Sequence, residues 1–164
     1  MAGKGTRFIY NEWCWIGYLE GEVETLEEVT EAQIDEAIEM TSYFVSLDAS
    51  AQGNVVPTPD LGSLFERSVD GTSQASFQAS FYRYDAEAKD VAWNTLKRAT
   101  KGTFLVCRYG VPKGSKPQIG DLIEAWPTSV TSRKAGPMSS NTAATFDVTC
   151  SVPNPPLEDG YVTA

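Results

Sequence analysis

From Ala75 to Tyr84 the chain alternates: Ala75, Phe77, Ala79 and Phe81 fall on one face, and Ser76, Gln78, Ser80 and Tyr82 on the other. A two-residue period is that of a strand with one side buried. At Asp85 the period lengthens. Ala88, Val91, Ala92, Thr95, Leu96 and Ala99 recur along one stripe, which predicts a helix over about 85–101. Asp85 suits the N-cap, Glu87 the positive end of the helix dipole, Lys97, Arg98 and Lys101 the negative end, and Gly102 a left-handed C-cap. Thr103 to Val111, rich in Phe104, Leu105, Val106 and Tyr109, follows as a strand. The unit predicts a sheet carrying one helix on one side.

The same two periods recur elsewhere. Thr41 to Ala49 alternates, with Tyr43, Val45 and Leu47 on one side and Ser42, Phe44, Ser46 and Asp48 on the other, and Gln52 to Pro59 extends it as a hairpin partner closed by Pro57 and Pro59. Ahead of it, Thr30 and Gln33 have capping-box spacing, and Ile34, Ala37 and Ile38 share a face, predicting a short acidic helix over about 31–40. Leu61 to Ser73 reads as a long connection, a kind usually functional or interfacial. Asp121 to Thr131 reads as a strand bent at Pro127, and Ser132 to Thr142 as a loop. Phe146, Val148, Cys150 and Val152 alternate with Thr145, Asp147, Thr149 and Ser151 in the last strand. Residues 1–19 form an aromatic N-terminal arm or strand, and Pro153, Pro155 and Pro156 lead an extended C-terminal tail over 153–164, expected to fray or dock on a neighbour. No linker divides the chain, so residues 1–164 are expected to form one domain.

Charge changes the picture more than composition does. A net charge of −9 disfavours gripping a nucleic-acid backbone, and it equally serves plain solubility. The acidic run from Glu20 to Glu39 reads as a solvated face; a repulsive patch near passing DNA or a complement to a basic partner is the functional alternative. Cys14, Cys107 and Cys150 are widely spaced in apolar contexts and read as reduced core residues, with nothing in their spacing arguing for a disulfide. No apolar run reaches the ~20 residues of a membrane helix, and no hydrophobic signal segment is read at the N-terminus, so neither membrane insertion nor general secretion is expected.

Candidate chemistry is sparse. With no histidine, Ser-His-Asp and Cys-His triads and imidazole metal sites are impossible within this sequence. There is no Cys-x-x-Cys pair, Walker A loop or Gly-x-Gly-x-x-Gly turn. A carboxylate pair of the glycosidase kind survives only as the chance proximity that 22 acidic residues allow. The expectation is therefore no enzyme, with catalytic, cofactor and metal sites all absent.

Three phrases carry a resemblance: VAWNTLKRATKGTFLVCRYGV, GDLIEAWPTSVTS and FDVTCSVPNPP, supported by TEAQIDEAIEMTSYFVSLD and VVPTPDLGSLF. From about Thr30 onward the chain resembles the tail tube (major tail) proteins of long-tailed, non-contractile bacteriophages, especially those infecting actinobacteria. The resemblance implies a mainly β tube domain, a β-sandwich or barrel with a flanking helix. It implies subunits that form hexameric rings, stacked into a conduit for genome ejection. Partners implied are further copies of the chain, a tape-measure protein, tail-tip or baseplate proteins and a tail terminator. DNA would pass without specific binding, and the virion tail would be assembled in the host cytoplasm. Family members often carry an added immunoglobulin-like domain after the tube domain, for which too little chain follows Pro156 here.

A tube lining must neither bind phosphate nor present apolar patches. Ser42, Ser46 and Asp48 on one strand and Ser76, Gln78 and Ser80 on the other meet that need, and are the expected lumen-lining residues, the two strands forming a hairpin-like pair joined by the long loop. Thr145, Asp147 and Thr149 are the alternative lining. Trp13, Trp15, Phe65, Pro155, Pro156 and Tyr161 are the expected subunit or ring contacts. Two other readings stand beside this one. The first is a head-to-tail completion protein or a secretion-type injection tube subunit. The second is a carbohydrate-binding or hydrolytic β-sandwich that uses Trp93 or Trp126 as a stacking platform.

Overall fold

The computed structural model describes residues 13–21, 26–62, 64 and 68–164. Along the chain run β1 (Trp15–Glu20), β2 (Val29–Thr30), α1 (Glu31–Glu36), β3 (Ile38–Glu39), β4 (Phe44–Pro57), β5 (Ser68–Tyr82), α2 (Val91–Thr95), β6 (Lys101–Cys107), β7 (Leu122–Ala135), β8 (Thr145–Ser151) and β9 (Leu157–Thr163). The sheet order is β3-β1-β6-β7-β8-β5-β4, with β9 pairing β7 and, in parallel, β2. The chain is thus mainly β, with two short α-helices among the described residues.

The run Phe104-Leu105-Val106-Cys107 is apolar on both sides because both sides are covered. Phe104 and Val106, with Ile16 and Tyr18 of β1, join Phe77, Phe81, Phe146 and Trp126 in one core. Leu105 and Cys107, with Trp15, face the opposite way onto Val29, Ile34 of α1, Ile123 and Val162 in a second core. The central strands are therefore the shared wall of a sandwich. Phe77 stacks on Phe104 at 4.5 Å between centroids, tying the β5-β8 sheet to that wall, and Phe81 stacks on Phe146 at 5.1 Å across the β5–β8 pair itself.

β7 links the two sheets. Its first half pairs β6 on one edge and β9 on the other; beyond Val130 it leaves β6 and continues along β8. Val130 exchanges backbone bonds with Ala99 and Thr100 on the β6 side. The two-residue period then turns the nitrogen of Pro127 to the other edge. That edge is open there, between the end of β8 at Ser151 and the start of β9 at Leu157, so the missing donor leaves no ladder bond unmade. Pro127 accordingly bends nothing off: the strand expected to end at Thr131 runs on to Ala135.

Both helices lie where the periodicity places them and are shorter than expected. α1 keeps the reciprocal Thr30–Gln33 capping box but stops at Glu36, because Ile38 and Glu39 pair with β1 instead. In place of a helix over 85–101 there is a 3₁₀ turn at Glu87–Lys89 and then α2 over Val91–Thr95. Asp90, 3% exposed, breaks the run by accepting a 2.7 Å bond from Arg83 Nε at the end of β5. Ala99 takes the left-handed conformation (φ 70°), so Gly102 is not the cap. Gly102 lies inside β6, where an added Cβ would press on the Tyr18 ring and sit 2.7 Å from the Leu19 carbonyl oxygen.

The C-terminal segment expected to fray or dock on a neighbour docks on its own chain instead. Residues Leu157–Thr163 form β9, with Val162 buried in the second core and bonded to Asp121 and Gly120. Residues 1–12 of the expected N-terminal arm lie outside the described residues; the remainder, Trp15–Glu20, is an interior strand.

Candidate lumen-facing sheet

The polar residues singled out along β4 and β5 meet in register. Ser46 stands opposite Ser80, Asp48 opposite Gln78, and Ser50 opposite Ser76, with the two serine hydroxyls of the last pair 3.3 Å apart. On the reverse face Leu47 opposes Ala79 and Ala49 opposes Phe77, against the aromatic core. Alternation thus gives each strand one wet and one dry side.

A bulge between Phe44 and Ser46 sets this phase. A strict two-residue count from Thr41 places Phe44 with the serines. The bulge lets Phe44 turn inward, 4.4 Å from Phe81 between centroids, while Val45 is left 46% exposed. Ser42 is not on the strand at all. It lies in the 3₁₀ turn Thr41–Tyr43, ahead of the strand that holds Ser46 and Asp48.

The two alternative linings turn out to be one surface. β8 lies beside β5 with Asp147 opposite Ser80 and Thr149 opposite Gln78, and Ser80 Oγ donates to Asp147 Oδ1 at 2.6 Å. β7 continues the rows with Lys134 opposite Asp147 and Ser132 opposite Thr149. One row therefore reads Ser46, Ser80, Asp147, Lys134 and the next Asp48, Gln78, Thr149, Ser132, across the strands β4-β5-β8-β7. Lys134 and Ser132 are additions that the sequence reading placed in a loop. The alternation Ser132, Arg133, Lys134 was the available signal, with Arg133 turning to the opposite face from Lys134.

That opposite face is pinned by a cation sandwich. The guanidinium carbons of Arg83 and Arg133 lie 3.8 and 3.7 Å from the Trp93 ring centroid, Arg133 also donates to the Trp93 carbonyl at 2.6 Å, and the ring meets Phe146 edge-on at 5.0 Å. Trp93 is thereby covered and Trp126 is 1% exposed, so neither offers a stacking platform to a sugar.

Of the expected contact residues, Trp13 is 51% and Tyr161 58% exposed; Pro155 is exposed and Pro156 half-buried. Trp15, at 1% exposure, belongs to the chain's own second core. Phe65 lies outside the described residues. Beyond Ala51 and Gln74, β4 and β5 pair, among the described residues, only with each other and project as a two-stranded arm whose Val55, Val56 and Val69 are exposed.

The cysteines are elsewhere: burial pushes the Cys107 thiol up to about 11 and the Cys150 thiol up to about 12, so both stay protonated in the core. Among the described residues, no group of three His, Cys, Asp or Glu side chains is placed to hold a metal ion. No described helix is long and apolar enough to cross a membrane.

Comparison with known proteins places this geometry. A chain in the tail of an empty gene transfer agent particle, refined with C6 symmetry, superposes with a TM-score of 0.52 at 16% identity, over 79% of this chain and 87% of that one. A chain of the native gene transfer agent virion gives 0.54 at 14% identity, over 94% and 98%. A chain of the six-fold symmetrised anti-feeding prophage baseplate gives 0.63 at 7% identity, also over 94% and 98%. At these identities the likeness is one of fold. No curated protein matches the chain. The family model described as phage tail tube protein matches residues 14–164. The chain belongs to the phage tail tube protein family and is a structural protein of the virion tail.

Proposed function

We propose that six copies close into a ring whose inner wall is the β4-β5-β8-β7 sheet, polar face toward the axis, and that rings stack into the tube through which the genome leaves the capsid. The observation that carries this reading is the two-row polar face backed by an aromatic core. Its side chains are hydroxyls, amides and carboxylates, with Lys134, opposite Asp147, as the one cation among the described residues of the two rows. Such a wall offers DNA neither apolar footing nor a run of cations.

The strand count supports closure. Four alternating antiparallel strands end with β7 running opposite to β4, so the next copy's β4 meets β7 antiparallel and the alternation continues around the ring. The exposed apolar arm of β4 and β5, with Trp13, Pro155, Pro156 and Tyr161, supplies surface for contacts within and between rings. In this reading the 164 residues act as one non-enzymatic domain, assembled in the host cytoplasm with a tape-measure protein, tail-tip or baseplate proteins and a terminator.

The test replaces Ser46, Asp48, Gln78 and Ser80 with lysine and measures DNA delivery by particles whose tails still assemble. Delivery is expected to fall by about tenfold or more, since each added cation binds phosphate by counterion release. Undiminished delivery would remove these residues from the bore.

A further inference from the structure

Resting on that reading of the ring, we propose a specific seam: the end of β7 and the chain just after it, Thr131 to Met138, seat on the β4 edge of the next copy, with Lys134 meeting Asp48 and Met138 entering an apolar groove beside Val45.

Three features converge on it. First, the edge is vacant on both sides. β6 leaves β7 at Ser129, and among the described residues β4 pairs with β5 alone. Second, the charges complement each other. Lys134 is exposed at one border of the polar face with no carboxylate within 4 Å among the described residues, although Asp147 stands opposite it on β8. Asp48 is exposed at the other border. Third, a groove of about 620 Å³ runs beside the β4 edge, its lining including the apolar Ile16, Phe44, Val45, Leu47 and Val106 together with polar and charged side chains. Met138, 101% exposed, follows β7 by three residues.

Strand polarity aligns the last two. Where β7 runs antiparallel to the neighbour's β4, rising numbers on one meet falling numbers on the other. Within one copy Lys134 shares a row with Ser46; closing the wall staggers that row by a few residues per copy. Stagger toward the arm brings Lys134 opposite Ser50, with Asp48 on the diagonal, within reach of a long side chain. Met138, four residues further, then comes level with Ser46, where the groove opens. A flexible, unbranched thioether fills an irregular apolar gap well.

The experiment uses assembled tubes of the full chain. Met138→Cys and Val45→Cys are combined, both at exposed positions, and tubes are oxidised with copper–phenanthroline and run on non-reducing gels. A ladder reaching six subunits is expected from the pair and not from Val45→Cys alone. A Met138→Cys ladder through native Cys14, which also lines the groove, supports the same seat. Unlinked chains, or monomers linked internally, from intact tubes would overturn the seam. In parallel, Lys134→Asp is expected to cut tube yield about tenfold and Lys134→Asp with Asp48→Lys to restore it. Restoration by Asp147→Lys instead, or no loss with Lys134→Asp, would overturn the pairing. If the wild-type chain forms neither rings nor tubes, the ring reading itself falls and the seam with it.

Discussion

Ser80 on β5 and Asp147 on β8 are joined by a 2.6 Å hydrogen bond, although 67 residues separate them. That bond lies on the wet side of a sheet whose dry side, one residue away, holds Ala79, Phe81, Phe146 and Val148. It shows what ordinary alternation makes of one sheet: the inner face packs into the core and supplies stability, and the opposite face is left polar.

Removing the Arg83 head group should expose how the short α2 is held. Asp90 is buried and bonded to Arg83 Nε, so Arg83→Ala leaves a carboxylate without its partner and uncovers one face of Trp93. Loss of about 3 kcal/mol is expected in urea unfolding, with Trp93 fluorescence altered. A change below about 0.5 kcal/mol would mean that Asp90 is satisfied without the arginine.

Gly102→Ala should be costly for a different reason. The added methyl group would meet the Tyr18 ring and the Leu19 carbonyl inside the sheet, where backbone has little room to yield. Destabilisation of about 2 kcal/mol or more is expected, read as a lower thermal midpoint. The exposed, left-handed Gly114 serves as the contrast: there the cost comes from φ of 83° alone, with nothing near an added Cβ.

The buried thiols give a pH dependence with a definite sign. Cys107 and Cys150 titrate at about 11 and about 12 in the folded chain against 9.0 as the ordinary value. Below pH 9 both states hold the protons and these groups contribute no pH dependence. Above it the unfolded chain holds fewer protons than the folded one, so stability falls as pH rises. Unfolding midpoints should hold level between pH 8 and 9 and fall from pH 9 to pH 11. Cys150→Ala should flatten part of that slope; an unchanged slope in that variant would place the alkaline sensitivity elsewhere.

Shortening the arm should separate folding from assembly. Residues 52–57 and 68–74 are exposed and, among the described residues, pair only with each other. Joining Ala51 to Ala75 by a tight turn should leave the thermal midpoint within about 2 °C, since little core is touched, while tubes fail to form. Tubes of normal length from this variant would show that the arm is dispensable.

Much of this was legible from the chain and some was not. The β5 and β8 alternations and the Thr30–Gln33 cap are local signals, and each appears as read. The failures came from contacts that periodicity does not carry. Asp90 ends a helical stripe because Arg83, just past the end of β5, holds its carboxylate, and Phe44 turns inward because a bulge absorbs Val45. β9 was invisible because Glu158, Asp159 and Gly160 dilute its pattern, and its order comes from β7 and β2. In the candidate wall, Ser46, Asp48, Gln78 and Ser80 followed from alternation alone. That Asp147 and Thr149 share their face needed the β5–β8 register.

The measurement that tests the account most directly is a helical reconstruction of the assembled tail at side-chain resolution. The account predicts six copies per ring, with Asp48, Gln78, Ser80 and Asp147 facing the bore and Phe77 and Phe146 behind them. A bore lined instead by another face of the sheet, or a ring in which β4 and β7 of adjacent copies do not meet, would contradict it.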